Sequence, residues 1–168
     1  MTTPSQENPP TTAELKARSK DLIENQNTMT LATASKEQAW AAPVYYANLH
    51  FNFYFFSDPE SRHIREAMHS RQASAAVFEP ASSWKGIRGI QMSGHIQSLS
   101  PGLEAVRALR AYLKKYPFTK EFFGKDQSLD LNTFLTRFRV KLYRFEPSLL
   151  YYMDNSIRFS FRAEISLT

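Results

Sequence analysis

Hydrophobic residues recur along this chain with two different periods, and the changes of period mark its elements. Leu15, Leu22 and Ile23 fall on one side of a 3.6-residue repeat, and Thr11 stands three residues before Glu14 as a capping box requires. The spacing predicts a helix over residues 12–26. From Thr28 the period becomes two, so residues 28–34 read as a strand and Ser35-Lys36-Glu37-Gln38 as the turn that follows. A second strand is predicted over residues 39–47, at an edge or a bulge because Pro43 has no amide hydrogen to give a ladder. The third, residues 51–57, carries Phe51, Phe53, Tyr54, Phe55 and Phe56. Three strands at this spacing suggest a meander able to curl into a barrel.

Asp58, as a cap, and Pro59, at the first helical position, predict a helix over residues 60–70. A short apolar strand is expected over residues 73–78, and a longer one over 87–99, where Ile90, Met92 and Ile96 mark the apolar positions. Leu103, Val106, Leu109 and Leu113 follow helical spacing, so residues 101–116 form a helix that Pro117 ends. Residues 138–145 alternate again, and residues 149–161 add one or two strands. The order βββαββαββ favours a mainly β, α+β fold, an antiparallel barrel flanked by helices, over a parallel α/β sheet. Residues 1–11 are polar and proline-containing and read as a loose tail before a single domain over residues 12–168.

Composition narrows the chemistry. With no cysteine among 168 residues, disulfides, a thiolate nucleophile and Cys-based metal sites are excluded. Aromatics make up 14% of the chain, which suits a core, a dimer interface or a ring-shaped ligand. The amino terminus has neither a basic start nor an apolar run, and no stretch approaches the ~18 apolar residues of a membrane span. A cytoplasmic protein with no membrane partner is expected. The four histidines lack ligand spacing, so no metal site is expected, and no G-x-S-x-G elbow supports a serine nucleophile. No catalytic residue can be assigned. The formal charge of +5 suits phosphorylated ligands, nucleic acid or simply a solvated surface. The alternating stretch Arg137-Phe138-Arg139-Val140-Lys141-Leu142-Tyr143 would put its cations and Tyr143 on one face and its other apolar residues on the opposite face. That pattern fits a solvated basic strand better than an RNA-stacking platform, so nucleic acid is not the favoured partner.

Two stretches carry candidate chemistry. In Phe53-Tyr-Phe-Phe56-Ser57-Asp-Pro-Glu-Ser61-Arg62-His63 an aromatic strand ends in a hydroxyl, and a helix opens with Ser, Arg and His in its first turn. Free amides at a helix start, two hydroxyls and a guanidinium fork can converge on one phosphate. A capped helix with a solvated arginine is the plainer reading of the same residues. In Arg88-Gly89-Ile90-Gln91-Met92-Ser93-Gly94 the strand offers Arg88, Ile90 and Met92 to one face, and Gly89, Gln91 and Ser93 to the other. The polar face would border a hydrogen-bonding ligand edge or face solvent, and a glycine inside a strand marks a bulge or a close approach of backbone.

Taken together and in order, these stretches resemble the FMN-binding split-barrel family related to pyridoxamine 5'-phosphate oxidase, in particular its small bacterial members. The likeness runs over residues 22–162. It rests on Thr30-Leu31-Ala32-Thr33, Pro43-Val44-Tyr45-Tyr46, Phe55-Phe56-Ser57, Ser61-Arg62-His63, Ile87-Arg88-Gly89-Ile90-Gln91-Met92-Ser93-Gly94 and the late Met153-Asp154-Asn155. The resemblance implies an antiparallel split barrel and a homodimer with cofactor at the subunit interface. It also implies an FMN-dependent oxidoreductase acting on a small molecule. It places Pro43, Val44 and Tyr45 against the flavin ring and Ser57, Ser61 and Arg62 at the phosphate and ribityl contacts, and it counts Phe56 and His63 among the cofactor-binding residues, His63 where the oxidases often carry Lys. Arg88 and Gln91 fall on the strand that borders the cofactor.

The chain departs from the oxidases themselves. Ala42-Pro43-Val44-Tyr45 stands where they carry an Arg and Lys pair, and their late Arg-x-His is absent. A pyridoxamine phosphate substrate is therefore not implied, and Arg62 is left as the main counter-charge. The alternative within the same fold is a non-catalytic module that binds a flavin, haem or another flat anionic ring, with His63 or His95 as an axial ligand in the haem case.

Overall fold

The computed structural model describes residues 9–36, 38–122, 135–136 and 138–168. Helix α1 (Thr12–Asn25) opens on the expected capping box, in which Thr11 accepts from the Glu14 amide and the Glu14 carboxylate from the Thr11 amide. Strands β1 (Thr28–Ser35), β2 (Gln38–Tyr45), β3 (Ala47–Leu49) and β4 (Asn52–Ser57) follow, then α2 (Arg62–Ser70). The chain continues through β5 (Ala73–Phe78), β6 (Arg88–Ser98), α3 (Leu103–Lys115), β7 (Lys141–Asp154) and β8 (Arg162–Glu164). Every ladder is antiparallel, in the order β2-β1-β5-β6-β7-β4-β3, with β8 beside the end of β7. The strands at the two ends of this order, β2 and β3, are separated in sequence only by Tyr46. Chain continuity, not a ladder, therefore joins the two edges of the curled sheet, which makes it a split barrel.

Alternation places the core. Met29, Leu31, Phe53, Phe55, Val77, Ile90 and Phe145 point inward, and Ile64 and Ala67 of α2 join them with Leu22 and Ile23 of α1. On the outside, Ala105 and Ala108 of α3 cover Tyr54 and Leu142, and Tyr112 and Tyr116 pack near Ala47. Among the described residues, no helix covers the rest of the outer surface, across β2, β1, β5, β6 and the second half of β7. Pro43 lies on an edge strand, opposite Thr30, where a missing amide hydrogen leaves no inner ladder broken.

The structure corrects three expectations. Helix α2 begins at Arg62, and Ser61 is its cap, because the Asp58 carboxylate instead closes a turn by accepting from the Glu60 amide. A short β3 follows β2 where a single strand over 39–47 is predicted. Strand β7 is continuous from Lys141, so Phe138 and Arg139 precede it, and Tyr143 is buried rather than solvated with the basic residues. The strands expected over 138–145 and from 149 are thus joined, and Pro147 is accommodated by a register shift opposite Ser93 and Gly94. Arg137 and residues 1–8 of the expected tail lie outside the described residues.

Candidate functional site

Strand β4 delivers Ser57 to the mouth of the barrel, directly before the turn into α2. Ser57 is buried, and its Oγ lies 2.9 Å from His63 Nε2 and 3.2 Å from Ser61 Oγ. Ser61 takes the extended cap conformation, but its hydroxyl donates back to the Asp58 carbonyl at 2.7 Å and caps no amide. The first-turn amides of α2 are thus left without a side-chain acceptor. Burial pushes the His63 imidazole below its ordinary range, against the opposing field of Glu66, so the ring is neutral near pH 7.

Arg62 leaves the helix on another side, as successive helical residues do. Its Nε donates to Glu66 Oε1 at 2.7 Å, its guanidinium lies 4.7 Å from the Trp40 ring centroid, and Nη2 reaches Gln38 Oε1 at 3.4 Å. Thr33 of β1 donates to Glu66 Oε2 at 2.6 Å. That hydroxyl first, and then Arg62, hold the Glu66 carboxyl below the usual carboxylate range. A depression of about 810 Å³ beside Arg62 adds Lys36, Arg65 and His69 to the same surface.

The remaining predicted residues fall into two groups. Pro43 and Gln91 share the uncovered outer face, in a cross-strand row Pro43–Thr30–Ala76–Gln91–Tyr151. Tyr45 is on the same side of β2, exposed and edge-on to Tyr116 at 5.4 Å, whereas Val44 turns inward onto the core. Around this row Ala32, Ser74, Ser93 and Leu149 line a shallow trough of about 380 Å³. The face carries uncharged side chains, small ones such as Ala32, Ser74, Ala76 and Ser93 at its centre, which allow a flat body to approach. Phe56 and Arg88 are elsewhere. The Phe56 ring packs on Tyr112 of α3 at 4.9 Å, so it is turned away from Ser57. Arg88 pairs with the buried Asp154 at 3.4 Å and with Glu79 at 4.0 Å.

An open helix start, two hydroxyls, a neutral imidazole and nearby guanidinium groups form a donor set that fits a dianionic phosphate. Ser57, Ser61 and His63 are brought together as predicted. Arg62 is a helical step away and held by a carboxylate, so anion binding there competes with Glu66. Thr33, Gln38, Trp40 and Glu66 were not among the predicted residues. Glu66 had a readable signal, its i,i+4 spacing from Arg62, but the contacts with Trp40 and Thr33 arise only when β1, β2 and α2 pack together. Of the two histidines considered as haem ligands, His63 is bonded to Ser57, and His95 stands 3.5 Å from Glu146 with 40% of its side chain exposed.

Among the described residues, no helix is long and apolar enough to cross a membrane, and no three His, Asp or Glu side chains gather as metal ligands. A family model described as pyridoxamine 5'-phosphate oxidase matches residues 15–145. No curated protein sequence matches. Among solved structures, a haem-binding protein from Mycobacterium smegmatis superposes with a TM-score of 0.68 at 18% identity, over 94% of this chain and 59% of that one. This chain thus spans about three-fifths of that protein's length. An FAD-binding protein from Mesorhizobium loti gives 0.59 at 16% identity, over 80% of this chain and 90% of that one. The haem storage protein HutZ from Vibrio cholerae gives 0.62 at 13% identity, over 81% and 92%. At these identities the likeness concerns the fold.

Proposed function

Because the chain belongs to the pyridoxamine 5'-phosphate oxidase family, we propose that it is an FMN-binding flavoprotein, an oxidoreductase acting on a small molecule in the cytoplasm as a homodimer. The observation that carries this reading is the open amino end of α2, whose amides have no side-chain cap while Ser57, Ser61 and His63 cluster beside them. The FMN phosphate would sit there, with Arg62 as counter-charge. The outer face containing Pro43, Tyr45 and Gln91 would border the ring, and a second copy would close over the same small-residue face. Bound FMN supplies electron transfer, while the chain's own residues hold the phosphate, orient the ring and exclude water. Titration of the full chain with FMN, followed by quenching of flavin fluorescence, tests the reading. Saturable binding that weakens in Arg62→Ala supports it, and an unquenched, colourless protein overturns it.

One observation favours haem as a second reading. His95 keeps an exposed imidazole on β6, and two of the three structural neighbours described above are named for haem. A Soret shift on adding haemin, lost in His95→Ala, would support that reading over FMN.

A further inference from the structure

Away from the α2 corner, α1, the β3–β4 turn and α3 enclose a groove of about 850 Å³ whose charge is one-sided. Lys20 lines it from α1, and Arg107, Arg110, Lys114 and Lys115 line it from α3, against the single carboxylate of Glu24. The net of four positive charges is most of the chain's formal excess of five. Among the described residues, no ion pair joins Lys20, Arg107, Arg110 or Lys114 to a carboxylate. Lys20 instead lies 5.9 Å from the Phe51 ring centroid. Lys115 lies deeper, with Nζ 4.0 Å from the Tyr46 ring centroid and 3.4 Å from the Ile23 carbonyl, so a cation is built into the groove's inner wall. Ala47, Leu49 and Ala111 supply an apolar floor.

We propose that this groove is a second anion site, taking a ligand with a chain of two or more phosphates, such as a nucleoside triphosphate or an inorganic polyphosphate. Arg107, Arg110 and Lys114 are spaced three and four residues apart, so they rise along α3 in steps of about 4.5 and 6 Å. A lone phosphate meets only part of a row about 10 Å long, whereas a phosphate chain can meet all of it. The concave form between two helices has the volume of small-ligand sites, roughly 300–1,000 Å³. A duplex needs a more open surface, so shape favours a small phosphate chain over nucleic acid.

Calorimetric titration of the full chain with inorganic tripolyphosphate at low salt tests the proposal, with orthophosphate and ATP as parallel arms. The expected result is one saturable site per chain, at least tenfold weaker for orthophosphate. The exposed double variant Arg110→Gln/Lys114→Gln should bind tripolyphosphate at least tenfold more weakly with an unchanged melting temperature. Arg62→Ala should leave the affinity unaltered, so this site and the FMN site can fail separately. ATP binding tighter than tripolyphosphate assigns the floor to a base, and equal affinities assign the phosphate chain alone. Absence of saturable binding, indifference to the double variant, or a loss confined to Arg62→Ala overturns the proposal. Tighter, steeply salt-dependent binding of a single-stranded oligonucleotide overturns it in favour of nucleic acid.

Discussion

Arg62 and Glu66 form the test on which the FMN reading can be pressed hardest. The guanidinium is bound at 2.7 Å to a carboxylate that Thr33 also holds. Removing Arg62 therefore does two things. It deletes a charge-assisted contact to the phosphate, worth about 1.5–3 kcal/mol, or roughly 10- to 150-fold in Kd. It also leaves the Glu66 carboxylate near the phosphate without its guanidinium partner, which adds repulsion to the loss. Arg62→Ala should accordingly weaken FMN binding by at least tenfold.

Glu66→Gln should act in the opposite direction. Its amide oxygen can still accept from Thr33, while Arg62 loses its competing carboxylate, so FMN should bind a few-fold more tightly. The double variant should fall between the two singles, with the repulsion removed but the cation still missing. The four affinities make a closed cycle readable by fluorescence titration at one salt concentration. Arg62→Ala binding within twofold of the parent would refute the reasoning. So would Glu66→Gln losing as much affinity as Arg62→Ala, because the carboxylate would then be acting as a support and not as a competitor.

Other outcomes follow from the same structure. Ala76→Arg puts a charge at the centre of the uncovered face, so sedimentation should show monomer and FMN affinity should fall; an intact dimer would remove this face as the interface. Gly94→Ala places a Cβ 2.1 Å from the Glu146 carbonyl oxygen and 2.8 Å from Pro147 Cα, inside the β6–β7 register shift. Parting those strands should cost about 2–3 kcal/mol in urea denaturation, and a loss below about 0.5 kcal/mol would contradict the close approach. Burial pulls Lys115 down to about 8, partly offset by Glu24, so between pH 8 and 10 the unfolded chain keeps a proton that the folded chain releases. Stability should rise across that window by about 1–2 kcal/mol, allowing for screening of the partly exposed ammonium. The rise should vanish in Lys115→Met. Above pH 10 the buried Tyr46, Tyr112 and Tyr116, whose hydroxyls hold their protons longer when folded, reverse the trend. A flat profile for the parent protein from pH 8 to 10 would show that Lys115 is not desolvated.

What the sequence revealed depended on the distance over which each feature is determined. The capping box of α1, the alternation of β1 and β6 and the aromatic run of β4 are local, and all are found near their predicted bounds. Ser57, Ser61 and His63 meet because a tight turn joins β4 to α2, so their grouping was legible within seven residues. Gly94 signalled a bulge or a close approach of backbone, but only the β6–β7 ladder shows that it lies against Glu146 and Pro147 where the register shifts. The outer-face row was beyond local reading. Pro43 and Gln91 share it because β2, β1, β5 and β6 are neighbours in that order, and no turn or period encodes which strands pair across the sheet. The same holds for Arg62. Its residue type suggested an anion site, whereas the contacts that compete for it come from Gln38 and Trp40 of β2 and from Glu66 in the next turn of α2. At the start of α2, composition and spacing therefore indicate the charge, and packing decides how much of that charge is free to act.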